Sequence, residues 1–143
     1  MVSYIASEKG HGKTKLLLDM ANNAVKTADG NLVFIDSGRT HMYDLNHQVR
    51  LVDTTGYDLS NYREFVGFLC GILSQNMDIT DIFVDGINKI IKTLDNDALL
   101  KLHVRLQKLS EENSVKFIVG VNSKVDLLPE EIRSCVIDHL GVI

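Results

Sequence analysis

At 143 residues the chain has the length of one domain, enough to bury a single core. Its composition, 45% apolar and 24% charged, is that of an ordinary folded protein and argues against disorder, low complexity and internal repeats. The net charge of -4 leaves no basic footprint for nucleic acid, and no run of about eighteen apolar residues predicts a membrane span.

The N-terminus enters a strand pattern at once, without a basic leader, so the expected compartment is the cytoplasm. Val2 to Ala6 is a short apolar, β-prone run with little alternation, the pattern of a strand covered on both faces. Ser7 to Thr14, SEKGHGKT, follows. Leu16, Leu17, Met20, Ala21, Ala24, Val25 and Ala28 then recur at helical spacing until Asp29 and Gly30 stop them. The octapeptide therefore joins a strand to a helix. Glycines let backbone amides turn toward an anion, a lysine adds a mobile positive charge, and a hydroxyl can ligate magnesium. Gly10, Gly12, Lys13 and Thr14 fill these roles, with the helix N-terminus supplying further unpaired amides. Ser7, Glu8, Lys9, His11 and Lys15 complete the candidate phosphate-binding set. Lys9 and His11 read equally as solvent-facing loop positions.

Leu32 to Ile35 predict a second buried strand that ends at Asp36, with Ser37 and Gly38 as the turn behind it. From Thr40 to Asp53 two short runs, Met42 to Leu45 and Val49 to Val52, suggest an edge hairpin at about 41–53. Tyr62 to Met77 predict a helix with Phe65, Val66, Phe68, Leu69, Ile72, Leu73 and Met77 on its apolar stripe, its start boxed by Asn61 and Glu64. Asp81 to Gly86, DIFVDG, is a further strand running into an acid, and Asp85 is placed to hold magnesium with Thr14. Asp95 or Asp97 caps the next helix, with Leu99, Leu102, Leu106 and Leu109 as its stripe. Val115 to Val121 form one more strand ending in Asn122 and Ser123. Pro129 opens a last helix with Ile132, Val136, Ile137 and Leu140, and Gly141 to Ile143 suggest a strand stub. Cys70 and Cys135 read as buried free thiols. Five histidines without a ligand spacing predict no histidine metal site.

This alternation predicts a three-layer α/β sandwich with a mostly parallel, five-stranded sheet. Ligands bind such sheets at the carboxyl ends of strands, where Ser7, Asp36, Asp53, Asp85 and Asn122 all fall. Asp36, Asp53 and Asn122 are site candidates there, and each is equally good turn chemistry.

The motifs at Ser7–Thr14 and Asp81–Gly86, with the alternation over nearly the whole chain, resemble the P-loop nucleoside triphosphatase superfamily. The chain is also similar to small bacterial twitching-motility-like ATP-binding proteins. The first motif matches G-x-x-x-x-G-K-[ST] except that Ser7 stands in place of the first glycine. In the ATPase branch an aspartate-ended strand follows one intervening strand and helix, and a polar residue ends the next strand. Asp85 and Asn122 match that order if 40–53 is an insertion. Small GTPases are the rival resemblance: Asp53 to Gly56 reads DTTG, and Ser123 to Asp126 reads SKVD where [NT]-K-x-D is usual. The first resemblance implies ATP as ligand, with GTP as the alternative, Mg2+ held by Thr14 and Asp85, and phosphate charge met by Lys13. The ATPase branch often carries glutamate directly after the strand-end aspartate, whereas this chain has Gly86. Asp36 and Asp53 are the acids left to position a water, and no arginine finger is evident, so a protein partner or second copy is a further expectation. The implied activity is nucleotide binding with weak hydrolysis, beside a non-catalytic regulatory module as the other reading.

Overall fold

The computed structural model describes residues 1–8, 10 and 12–138. Twelve elements alternate along them: β1 Val2–Ser7, α1 Lys13–Ala24, β2 Asn31–Asp36, β3 Val49–Asp53, α2 Tyr62–Gln75, β4 Ile79–Val84, α3 Ile87–Ile90, α4 Asn96–Asn113, β5 Lys116–Asn122, a 3-10 turn Val125–Leu127, α5 Glu130–Arg133 and β6 Val136–Asp138. The strands form one open sheet of six in the order β3-β2-β4-β5-β1-β6, and every described pairing is parallel.

Apolar strands without alternation must be covered on both faces, and they are. Leu17, Leu18 and Ala21 of α1 pack on one face with Ile5, Phe34, Phe83 and Ile118. Phe65 and Leu69 of α2, with Leu102 and Leu106 of α4, pack on the other with Tyr4, Ile35, Ile82 and Phe117. The connection from β1 runs toward β2, while that from β5 returns across β1 to β6. Adjacent strands whose connections leave in opposite directions open a crevice at their carboxyl ends. That crevice lies between β1 and β5, where Ser7 pairs with Asn122.

Local signals in the sequence hold where they rest on caps. Asn61 accepts from the Glu64 amide, Glu64 in turn accepts from the Ser60 amide, and Asp95 caps α4 through the Ala98 amide.

Five expectations are corrected. The sheet has six strands, not five. The hairpin at 41–53 is absent: residues 40–44 turn, and only Val49–Asp53 is a strand, parallel to β2. The Asn22 side chain holds this turn segment against α1, donating to the Asp44 carbonyl at 2.8 Å and accepting from the Asn46 amide at 2.7 Å. The helix after Pro129 is one turn, and Val136 and Ile137 leave it for β6, drawn by pairing to the free edge of β1. Leu140 and Gly141 to Ile143 lie outside the described residues. Neither cysteine is buried, because Cys70 faces solvent on α2 and Cys135 is half-covered. Met77 also falls past the end of α2 and is exposed.

One polar pair in the core gives a pH-dependent stability. The His103 imidazole, buried on α4, meets the Tyr4 hydroxyl at 2.7 Å. Burial pushes its pKa below the ordinary value, with Glu131 opposing weakly. The neutral ring is therefore the folded form. Its contribution is complete above the unfolded-state pKa of about 6.5 and is lost as pH falls through the folded value. Urea midpoints are expected to drop between about pH 7.5 and about pH 5.5. His103→Gln should flatten that part of the profile.

Candidate functional site

The loop after β1 is shaped by two residues in left-handed conformation, Gly10 at φ 90° and Gly12 at φ 88°. A side chain at either position would be strained by the backbone alone, since open space surrounds both. Gly12 also caps α1 without any side-chain bond, and no acid lies in the first turn of that helix. The helix therefore presents its first amides and the positive end of its dipole to the loop.

Lys13 is buried and folds back over this loop. Its ammonium donates to the Ser7 carbonyl at 2.9 Å, the Glu8 carbonyl at 3.1 Å and the Ser7 hydroxyl at 3.2 Å. The serine that stands in the usual glycine position thus contributes an acceptor for the lysine. Burial lowers the Lys13 pKa, Asp85 raises it and Lys89 lowers it further. Next along α1, the Thr14 hydroxyl lies 3.1 Å from both carboxylate oxygens of Asp85. Asp85 follows β4, is buried, and its amide donates to the Ile35 carbonyl of β2.

Strand β5 lies between β1 and β4, and this places Asn122 at the centre of the edge. Its amide donates to the Asn88 side chain at 2.8 Å. On the same strand Gly120 lets the neighbouring layers close: a Cβ there would stand 3.1 Å from Leu17 Cδ1 of α1 and 3.5 Å from the Gly86 amide. The resulting cleft of about 360 Å3 is lined by Gly10, Gly12, Lys13, Thr14, Asp85 and Asn122, and also by His41, Gly86 and Lys89.

The remaining candidates divide. Asp36 is buried at the end of β2, its carboxylate accepting from the Ser37 amide at 2.7 Å. Burial raises its pKa, and the Asp85 charge raises it further. Glu8 offers only its carbonyl inward, since its carboxylate pairs with Lys124 at 3.5 Å. Lys15 pairs with Asp19 and lines an adjoining cleft with Thr14 and His41. Lys9 and His11 lie outside the described residues.

Asp53 ends the edge strand β3, where it binds the Thr55 amide and hydroxyl and pairs with Arg39 at 3.4 Å. Three strands separate it from β1, about 19 Å at ordinary strand spacing. It lines a larger cleft of about 740 Å3 with Arg50, Tyr57 and Phe68. Size favours that cleft, but it has neither helix-start amides nor a buried lysine, so the chemistry favours the smaller one. His41 and Lys89 escaped the sequence reading. Their only sequence signal was position shortly after an acid-ended strand.

The oxygen donors of Thr14 and Asp85 suit a hard cation such as magnesium. Among the described residues no group of three or more His, Cys, Asp or Glu could hold a metal ion. Among the described residues no helix is long and apolar enough to cross a membrane. No protein-family model matches the chain, and no curated protein matches it.

Proposed function

We propose that the chain binds a nucleoside triphosphate, ATP in preference to GTP, with its phosphates at Ser7–Thr14, and hydrolyses it slowly. The observation that carries this reading is the contact of Thr14 with Asp85 beside a buried lysine and an uncapped helix start. These groups come from separate parts of the chain and converge on one cleft. Phosphate oxygens entering it take over the Lys13 donors now spent on the Ser7 and Glu8 carbonyls, and accept from the first amides of α1. Thr14 and Asp85 would hold magnesium, Asp85 through water, and the ion would neutralise phosphate charge when bound. Asn122, which lines the same cleft, is assigned to the terminal phosphate.

The position of β3 favours ATPase-like over GTPase-like use of the site. A switch reading needs Asp53 to Gly56 at the terminal phosphate, yet β3 is the far edge of the sheet. The SKVD segment is closer, since the Ser123 amide reaches the Ser7 carbonyl at 3.0 Å. Asp126 is thus the residue through which guanine would be recognised. Of the two acids left for the catalytic side, Asp53 stands on the far edge of the sheet and Asp36 has a carboxylate oxygen engaged by the Ser37 amide, consistent with slow turnover.

Calorimetry with ATP and GTP, each with and without magnesium, tests the proposal. ATP should bind at least about tenfold more tightly with magnesium, a difference of about 1.4 kcal/mol. Asp85→Asn should remove that increment and leave metal-free binding in place. Absence of ATP binding sinks the nucleotide reading, and a GTP preference lost in Asp126→Ala reverses the choice of base.

A further inference from the structure

Lys89 stands out as a cation beside the cleft with no assigned partner. It lies on α3, three residues after Gly86, and its amide donates to the Gly86 carbonyl at 2.8 Å. Its aliphatic stem covers that glycine: a Cβ at position 86 would stand 3.2 Å from Lys89 Cδ and 3.5 Å from Cγ. Gly86 is itself left-handed, at φ 69°. A side chain at this position would be strained by the backbone and would press on the Lys89 stem.

The Lys89 side chain lines the loop cleft with Lys13, Thr14, Asp85 and Asn122, and also a second cleft containing Ser37 and Asp58. It thus stands on the ridge between the two. Its neighbour Lys92 is committed to Asp58 at 2.9 Å, whereas Lys89 forms no ion pair or side-chain hydrogen bond among the described residues. The charge reaches the cleft, depressing Lys13 and acting on Asp36.

Hydrolysis forms a bond from a water oxygen to the terminal phosphorus. The bond from that phosphorus to the bridging oxygen breaks, its electron pair stays on the departing diphosphate, and the water proton leaves to solvent or phosphate. Negative charge grows on the bridging and terminal oxygens meanwhile. We propose that Lys89 contacts the transferring phosphate and supplies, from within the same chain, the second cation that this charge requires. The inference rests on the nucleotide reading above. A lysine provides a mobile point charge here, where an arginine from a partner would provide a fork.

The test compares wild type with Lys89→Ala and Lys89→Arg, using magnesium with ADP alone and with ADP plus aluminium fluoride, a mimic of the transferring phosphate. ADP affinity should be unchanged in both variants. Lys89→Ala should lose at least about tenfold in affinity for the fluoride complex, and Lys89→Arg should recover most of it. Equal loss for ADP and for the mimic would make Lys89 a general attractor of anions and overturn the proposal. Undiminished trapping in Lys89→Ala, or no trapping by a wild type that binds ADP, overturns it while leaving the nucleotide reading intact. Failure of wild type to bind either ligand removes both.

Discussion

Lys13→Ala is expected to weaken triphosphate binding at least about 100-fold, some 2.7 kcal/mol or more, while changing the stability of the ligand-free fold by less than about 1 kcal/mol. The two effects separate because the lysine has opposed terms in the free protein. Three hydrogen bonds to Ser7 and Glu8 favour its present position, and burial of the ammonium disfavours it. These nearly offset. With phosphate bound, the same donors meet full negative charge in place of carbonyl and hydroxyl dipoles, so both partners of each bond are ionised. Calorimetry and urea unfolding on the same preparations give both numbers. A parallel fall in stability and affinity would instead assign Lys13 to holding the loop together.

Gly30→Ala should destabilise the fold by about 3 kcal/mol, read as a lower urea midpoint at unchanged slope. A Cβ at Gly30 would overlap the Asp78 carbonyl oxygen and stand 2.7 Å from Thr80 Cγ2. Retreat is blocked because the next amide, that of Asn31, is bonded to the same Asp78 oxygen at 2.7 Å and begins β2. Relief would need β2 and β4 to part at their amino ends, where Asn31 pairs with Ile79. A cost below about 1 kcal/mol would show that this end of the sheet yields easily.

Gly30 also shows what a sequence can and cannot disclose. Its place after a fading helical stripe suggests the helix end, yet α1 stops earlier, at Ala24, and the contact of Gly30 with Asp78 involves a residue far along the chain. The same division runs through the molecule. Val33, Phe34, Ile82, Phe83, Ile118 and Val119 belong to unbroken, β-prone apolar runs of strand length, the pattern of strands covered on both faces. Asn61 with Glu64, and Asp95, act over three residues and are legible for that reason.

The 40–53 stretch misleads because its two apolar runs have equal weight on paper. The first of them is a turn, with the Met42 amide bonded to the Arg39 carbonyl and the Asp44 amide to the His41 carbonyl, and Asn22 ties it to α1. α5 and β6 are too short for a period to register, and β6 exists through pairing with β1. At the site, Lys13, Thr14 and Asp85 were readable from type and spacing. His41 and Lys89 were not, because their neighbours are set by the order of strands. Asp53 was overvalued for the same reason: a strand's end says which edge a residue occupies, not how far along it.

Gly120 bears on this edge in a different way. It contributes no atom to the cleft, yet α1 and the turn after β4 close on its bare face. The gap from Thr14 to Asp85 is therefore gauged by a missing methyl group. Any larger residue would act as a shim, prising the helix from the strand and opening that gap while every ligand stayed in place. The tolerance of the cleft is machined two residues below it, in the thickness of one strand.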